Sequence, residues 1–224
     1  MVRKLLGSGL EVCSVLATET RLRALADVLR PENYPVYQAP QALLDAVTGF
    51  HVHRGCLAIG ERPQAATVPA HARTVVVLED LVDVDNLGAS VRNAAAFGVD
   101  AVVLSPRCAD PFYRKAIRVS VGAVFSVPIV RAARWPGDIE ALRDSLGMAL
   151  VGAVLGHDTV PLPSFSRPPR VALLLGAEGP GLSAAARATC DALVTVPMAA
   201  GADSLNVATA GAVVLYHLTR GQPP

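Results

Sequence analysis

The residues around Gly88 are the first whose types and spacing could do chemistry. Asn86 is a good N-cap for a following helix, and Gly88 would let the backbone approach another chain segment or a ligand closely. Arg92, in the first turns of that helix, offers a planar guanidinium suited to phosphate. The residues alone favour a structural salt bridge from Arg92 to Glu79 or Asp80 over phosphate binding.

A glycine-rich turn is the second segment of interest. Gly176, Gly179 and Gly181 follow an apolar run, and Ser183 is predicted to cap the next helix. The turn is neither the dinucleotide fingerprint nor a P-loop, because the acidic residue and the Lys-Ser/Thr pair that those motifs require are missing. Glu178 within the turn is either a carboxylate that interacts with the helix dipole or a residue that anchors the loops of an active site.

The third segment opens the last helix of the chain. Ser204 is predicted to be its N-cap. The helix over residues 205–218 is apolar nearly all round, so it must be buried inside the domain or in a dimer interface. Asn206, in the first turn, would be costly to bury unpaired, and we expect it to bond a neighbouring loop.

These segments interrupt an alternation of strands and helices that runs from residue 74 onwards. The strands are continuous apolar runs, which indicates a mostly parallel sheet sandwiched by helices. The predicted strands cover residues 75–78, 101–104, 127–130, 149–154, 171–175 and 193–196. The predicted helices cover residues 87–97, 113–121, 139–145, 183–188 and 205–218.

A second, smaller α/β domain is predicted at the start of the chain. The predicted domains are residues 1–64, a linker over residues 65–73 and a large domain over residues 74–224. The small domain alternates helices over residues 1–8, 19–28 and 40–47 with strands over residues 12–17 and 56–59.

The net charge of +1 does not by itself indicate a nucleic-acid partner. Positive side chains nevertheless cluster between residues 107 and 134, where Asp110 alone opposes them. This cluster either attracts a phosphate backbone or is an ordinary solvated surface. Its members are Arg107, Arg114, Lys115, Arg118, Arg131 and Arg134. Aromatic residues make up only 4%, which argues against a stacking platform for single-stranded bases.

The composition argues against several classes of protein. The four cysteines are isolated, which argues against disulfides and zinc and favours thiols in a reducing compartment. No apolar run reaches the length of a membrane span, and no signal peptide is recognisable before Glu11. We therefore expect a cytoplasmic protein.

Taken in this order, the three segments resemble the SpoU (TrmH-like) class of the SPOUT RNA methyltransferase superfamily. Each piece is weak alone, but the ordered set is specific. It consists of Asn86-x-Gly88-x-x-x-Arg92, Leu175-Gly176-x-Glu178-Gly179-x-Gly181, and Pro197-Met198 followed by Ser204-Leu205-Asn206-Val207. The resemblance covers roughly residues 74–220 and implies a C-terminal trefoil knot, which no periodicity predicts because knots are otherwise essentially absent from proteins.

The resemblance also implies the chemistry: a methyl group passes from S-adenosyl-L-methionine to a ribose 2′-hydroxyl of tRNA or rRNA, without a metal ion. The methyl donor is expected to bind mostly through backbone groups. The implied donor-binding positions are Leu175, Gly176, Val196, Met198, Ser204 and Leu205. The implied catalytic residue is Arg92, supported by Asn86, Glu178, Ser204 and Asn206. Because an arginine side chain keeps its proton at neutral pH, we expect Arg92 to bind the adjacent phosphate and orient the hydroxyl rather than remove its proton.

The implied partners are RNA and a second copy of the chain, bound through the knot region and the last helix. Residues 48–51 and 53–55 resemble part of the ribosomal-protein-like substrate-binding domain often fused to this class. Such domains begin with one more strand and an acidic-glycine turn, so either this domain is truncated or that strand lies ahead of Met1. The expected RNA contacts are Arg107, Arg114, Lys115, Arg118, His53 and Arg54.

The sequence leaves three other functions open. A non-catalytic RNA-binding or ribosome-associated protein could keep the same fold, although intact Arg92 and Asn86 argue against it. A nucleotide-dependent oxidoreductase is disfavoured by the missing fingerprint. Methylation of a base instead of a ribose depends on the shape of the pocket, and the motifs do not identify the RNA or the nucleotide.

Overall fold

A computed structural model describes residues 1–156, 158–201 and 203–220 of the chain. The chain divides into two compact units, residues 1–64 and residues 65–224. Each unit has its own apolar core. Among the described helices, none combines the length and the apolar composition of a membrane span.

The smaller unit is a three-stranded sheet with three short helices. Its strands are β1 (Val12–Ala17), β2 (Val36–Gln38) and β3 (Cys56–Gly60), and its helices are α1 (Val2–Leu6), α2 (Glu19–Leu25) and α3 (Gln41–Thr48). The strand order is β2-β1-β3, with β1 parallel to β2 and antiparallel to β3. The sequence does not predict β2, because a strand of three residues is too short to show a period.

The larger unit is a parallel sheet of seven described strands, in the order β6-β5-β4-β9-β7-β10-β8. These strands are β4 (Thr74–Leu78), β5 (Ala101–Leu104), β6 (Ile129–Arg131), β7 (Ala149–Ala153), β8 (Val160–Pro161), β9 (Val171–Leu175) and β10 (Ala192–Thr195). Every recorded pairing among them is parallel. All residues of β4, β5 and β9 are buried, which confirms the prediction from continuous apolar runs.

Helices cover both faces of this sheet. They are α4 (Val84–Ala96), α5 (Arg114–Val119), α6 (Gly137–Leu146), α7 (Ala184–Thr189) and α8 (Val207–Thr219). On one face Val91 of α4 and Leu215 of α8 join a single apolar cluster, and on the other Ile139 of α6 and Ala186 of α7 join a second. The predicted α/β sandwich is therefore confirmed.

Two predicted helix caps are wrong. Asp83, not Asn86, caps α4, because its Oδ1 accepts a hydrogen bond from the backbone N–H of Asn86 at 2.8 Å. Arg92 consequently lies in the third turn of α4 and not in the first turns. Asn206, not Ser204, caps α8, and its side-chain oxygen accepts from the backbone N–H groups of Ala208 and Thr209 at 3.0 and 3.2 Å.

The helix α8 is buried on one side only. Val214 and Leu215 are almost fully buried, whereas Tyr216 is 63% exposed and Val213 is 38% exposed. The expectation of an all-round buried helix is therefore not met within a single chain, and an apolar strip remains at the surface.

The segment over residues 65–73 belongs to the larger unit and packs onto the rest of it from Val68 onwards. Arg170 donates hydrogen bonds to the carbonyl oxygens of Ala70 and Ala72, at 2.6 and 2.9 Å. Val68 packs against the apolar cluster that contains Ile139. These contacts fix the end of this segment at the start of β4.

Candidate active site

Asn206 joins the three sequence segments at one point. Its side-chain amide nitrogen donates to Oδ1 of Asn86 and to Oε1 of Glu178, each at 2.7 Å. Asn86 is half-buried, while Glu178 and Asn206 are exposed, so the cluster lies at the surface. The structure therefore brings together three of the five predicted catalytic residues.

The sheet explains why these residues meet. Strands β4 and β9 are parallel neighbours, with Leu78 paired to Leu175, so the segments that follow them leave the sheet at the same edge. This carboxyl edge is where open α/β sheets bind ligands. Helix α8 lies beside α4, where the side-chain amide of Asn93 donates to the carbonyl of Ala208 at 2.8 Å.

The glycine turn after β9 folds back tightly on itself. The N–H of Gly181 donates to the carbonyl of Ala177 at 2.9 Å. A Cβ atom on Gly176 would lie 2.1 Å from the carbonyl carbon of Gly181 and 2.2 Å from the nitrogen of Leu182. Only glycine fits at position 176, because this approach of backbone to backbone leaves no room for a side chain.

The predicted donor-binding residues lie on loops that leave the same edge. Gly176 is buried, Val196 and Met198 are half-buried, and Leu205 and Ser204 are exposed. The backbone N–H groups of Gly176, Val196, Met198 and Leu205 have no hydrogen-bond partner among the described residues. Such free main-chain groups beside apolar side chains fit a nucleoside whose adenine edge is read by backbone groups.

The other two implied donor-binding residues, Leu175 and Ser204, differ from these four. The carbonyl of Leu175 already accepts a hydrogen bond from the N–H of Glu79 at 2.8 Å, and its side chain is buried. The Ser204 hydroxyl neither caps α8 nor bonds another described residue.

Arg92 does not touch the Asn86–Glu178–Asn206 cluster. Its side chain is exposed and has no hydrogen bond or ion pair with any described residue. It follows Asn86 by six positions on α4, which is about 9 Å along the helix axis. The salt bridge to Glu79 or Asp80 that the residues alone favoured is not formed.

Glu79 and Asp80, the acidic residues that a salt bridge with Arg92 would need, have other partners. Glu79 accepts hydrogen bonds from Trp135 and Ser183. Asp80 accepts hydrogen bonds from the hydroxyl of Ser105 and the guanidinium of Arg107, and the bond from Arg107 is the main cause of its lowered pKa.

Arg107 and Lys115, two positive side chains of the basic cluster between residues 107 and 134, are paired with acidic residues from outside that segment. Arg107 pairs with Asp80, and Lys115 pairs with Asp85 at 2.7 Å, which raises the pKa of the lysine. Counting charges within the segment misses these acids because they come from the turn after β4 and from α4.

Three other arginines of this cluster are of two kinds, one bonded to a loop and two exposed on a helix. Arg131 donates to four backbone carbonyls around residues 105–109, so it holds a loop together. Arg114 and Arg118 are exposed on α5, where they can reach a partner.

In the smaller unit, the predicted RNA contacts His53 and Arg54 are exposed in the loop after α3. Asp45, which the sequence does not single out, organises this loop. Its carboxylate accepts from the N–H of Val52 at 2.8 Å and lies 2.7 Å from Nδ1 of His51. The bond from Val52 and then that from His51 lower the pKa of Asp45 to about 2.

No group of three or more His, Cys, Asp or Glu side chains within residues 1–156, 158–201 and 203–220 could hold a metal ion. The side chains that do converge are amides, one carboxylate and, further along α4, a guanidinium. This set can hold a polar substrate by hydrogen bonds and charge.

Known proteins resemble this chain over most of its length. The model of the SpoU rRNA methylase family matches residues 73–216. An uncharacterized tRNA/rRNA methyltransferase of Mycobacterium bovis is 44% identical over 226 residues, which cover 98% of this chain and 78% of the relative.

Solved structures show the same fold. The SpoU methyltransferase AviRb from Streptomyces viridochromogenes, solved in complex with AdoMet, has a TM-score of 0.82 at 27% identity, covering 98% of this chain and 86% of that one. A solved RNA 2′-O ribose methyltransferase has a TM-score of 0.79 at 26% identity, covering 98% and 84%. The family match and the extent of these similarities lead to one conclusion: the chain belongs to the SpoU rRNA methylase family and is an RNA methyltransferase.

Proposed function

We propose that the chain transfers a methyl group from S-adenosyl-L-methionine to a ribose 2′-hydroxyl of tRNA or rRNA in the cytoplasm. The observation that carries this proposal is the meeting of Asn86, Glu178 and Asn206 at the carboxyl edge of the sheet. The similarity to an RNA 2′-O ribose methyltransferase favours ribose over base as the acceptor.

The methyl donor is proposed to bind between the glycine turn and the loops before α8. The free N–H groups of Gly176, Val196, Met198 and Leu205 would hold it, and the exposed side chain of Leu205 would pack against it. The bound donor supplies an electrophilic methyl group on a sulfonium. From membership of this family, we infer that the C-terminal segment forms the trefoil knot of the class.

Arg92 is proposed to receive the RNA. Its exposed guanidinium has no partner among the described residues, so it can bind the phosphate next to the target ribose without breaking an existing ion pair. The Asn86–Glu178–Asn206 cluster would then fix the loops that hold the ribose. Holding the hydroxyl in line with the methyl group would accelerate transfer through orientation. As the oxygen bonds the methyl carbon and the carbon–sulfur bond breaks, the hydroxyl would lose its proton to water, and the cationic Arg92 would stabilise the negative charge on the partly deprotonated oxygen.

We further propose a homodimer built through α8. The exposed Val213 and Tyr216 form an apolar strip that a second copy would cover. Because α4 lies beside α8, this arrangement would place Arg92 close to the subunit boundary. The smaller unit is proposed to be a ribosomal-protein-like module that recognises RNA through His53 and Arg54.

The proposal is tested by incubating the purified protein with unmodified tRNA and rRNA and with S-adenosylmethionine that carries a deuterated methyl group. We expect label in 2′-O-methylnucleosides when the digested RNA is analysed by mass spectrometry. Label on a base would refute the ribose assignment. RNA binding without label in any nucleoside would favour the non-catalytic alternative. Comparing 2′-O-methylation in total RNA with and without the gene would then identify the nucleotide.

A further inference from the structure

Glu79 is a buried carboxylate at the end of β4. It is only 2% exposed, although it directly follows a strand of five buried apolar and hydroxyl residues. A buried charge of this kind is costly unless its oxygens accept several hydrogen bonds. Neither the proposed donor site nor the proposed RNA contacts include this residue.

The hydrogen bonds of Glu79 reach both ends of the glycine turn. Its backbone N–H donates to the carbonyl of Leu175, at the entry of the turn, at 2.8 Å. Its carboxylate accepts from the N–H and the hydroxyl of Ser183, at the exit, at 2.8 and 2.7 Å. A third donor, the indole N–H of Trp135, lies 2.6 Å from the same oxygen as the Ser183 hydroxyl.

The turn between these ends has little freedom of its own. The backbones of Gly176 and Gly181 are in contact, and Gly181 bonds back to Ala177. A displacement of Ser183 would therefore be transmitted to Gly176, whose free N–H belongs to the proposed donor site. The position of that N–H depends on what holds Ser183.

We propose that Glu79 is a positioning residue, which clamps the glycine turn in the conformation that accepts the methyl donor. This inference rests on the proposed function, because it concerns the same donor site. Without the clamp, the turn would populate other conformations. The apparent affinity for the donor would then fall in proportion to the fraction of molecules that keep the binding-competent conformation.

Replacement of Glu79 by glutamine is a sharp test because the two side chains have nearly the same shape. One oxygen can still accept from Trp135 and from the Ser183 hydroxyl. The NH2 group must then face the N–H of Ser183, donor against donor, which leaves that N–H without its acceptor.

The matched control is Asp100→Asn. Asp100 is also a carboxylate that accepts two backbone N–H bonds, from Arg73 and Thr74 at 2.7 and 2.9 Å, but it lies at the opposite end of β4. Both bonds end on one oxygen of Asp100, which asparagine keeps, so Asp100→Asn removes the charge of a carboxylate in the same sheet without removing a hydrogen bond. Only Glu79→Gln should weaken the donor site.

The experiment titrates S-adenosylmethionine into each full-length protein by calorimetry and follows steady-state methyl transfer. For Glu79→Gln we expect about tenfold weaker donor binding and a matching rise in the KM for the donor, with the KM for RNA unchanged. Asp100→Asn should bind the donor like the wild type. Unchanged donor affinity in Glu79→Gln, or an equal loss in both variants, would overturn the inference.

Failure of the proposed function gives a different result, in which the wild type itself takes up no donor. If Glu79→Gln does not yield folded protein, Ser183→Ala replaces it, because it removes the hydroxyl donor to Glu79 and keeps the N–H donor. The change also removes the N-cap bond of α7 from the N–H of Ala186, so thermal unfolding is measured beside donor binding. We expect about threefold weaker donor binding from losing one hydrogen bond of the clamp. Wild-type affinity in that variant would equally overturn the clamp.

Discussion

Asn206 donates to Glu178 with the same amide group that caps helix α8. The nitrogen faces the Glu178 and Asn86 oxygens, and the oxygen faces the N–H groups of Ala208 and Thr209. Only one orientation of the amide satisfies both sets, because its donors and acceptor are at opposite positions. One side chain therefore fixes the start of α8, the glycine turn and the start of α4 relative to one another.

Asn206→Asp should remove the hydrogen bonds to Asn86 and Glu178 while it keeps the N-cap of α8. Aspartate can still cap α8, but it cannot donate to Asn86, and it places a second carboxylate opposite Glu178. We expect methyl transfer to fall by about a hundredfold, as is typical when a preorganised polar group is lost from an active site, while the fold is kept. Initial rates and thermal unfolding of the two proteins measure this.

Asn93→Ala is the control for that variant. Asn93 also ties α4 to α8, through the carbonyl of Ala208, but outside the cluster. Its loss should lower the free energy of unfolding by about 1 kcal/mol and leave the rate unchanged. Equal rates in Asn206→Asp and the wild type would show that the cluster has no part in catalysis.

Arg92→Ala should abolish transfer while leaving donor binding nearly intact. The guanidinium is proposed to contact RNA and not the donor, so the loss should appear in kcat/KM for RNA, by about a hundredfold or more. Arg187→Ala is the control, since Arg187 is an exposed arginine on α7. Calorimetry with S-adenosylmethionine and methyl-transfer rates are compared, and a parallel loss of donor affinity and rate would contradict the role given to Arg92.

The parallel sheet is predictable because its strands are buried on both faces. The sequence predicts β5 and β9 to the residue, since an uninterrupted apolar run as short as Val171–Leu175 is typical of a strand with no solvent-facing side. Helix starts are less certain where several residues could cap. Asp83 and Asn86 both have suitable side chains, and only the three-dimensional path of the chain decides which one bonds the free N–H groups.

The candidate site is predictable in its members but not in its contacts. Residue type and spacing, together with the family resemblance, single out Asn86, Glu178 and Asn206. No sequence rule indicates that Asn206 bridges the other two, because the three are up to 120 residues apart along the chain. The sequence suggests Glu79 only as a partner for Arg92. Nothing about an acidic residue at a strand end indicates that it binds Ser183, which lies 104 residues later in the chain.

Gly176→Ala should disable the donor site. The added methyl carbon would lie about 2 Å from backbone atoms of Gly181 and Leu182, which cannot move as a flexible side chain would. We expect about 3 kcal/mol of lost stability and no measurable donor binding. Gly137→Ala, where the added carbon meets nothing within 4 Å, should behave like the wild type in unfolding and calorimetry. Donor binding by Gly176→Ala would show that the donor lies elsewhere.

A chain that begins at residue 65 should keep the chemistry and lose RNA affinity. The cut belongs before Val68 and Ala70, because Val68 packs into the core of the larger unit and the Ala70 carbonyl accepts from Arg170. Residues 65–224 should therefore fold and bind the donor as the whole chain does. If the smaller unit recognises RNA, removing one of two linked binding modules should weaken RNA binding by about a hundredfold.

The full chain with His53→Ala and Arg54→Ala tests whether this loss comes from the exposed loop after α3. Filter binding at fixed, low salt compares the three proteins, because phosphate contacts weaken steeply as salt rises. We expect the double variant to lose part of the affinity that the truncated chain loses, with donor binding unchanged in both. RNA affinity equal to that of the wild type in the truncated chain would assign recognition to the larger unit, whose exposed α5 arginines would then be the next residues to replace.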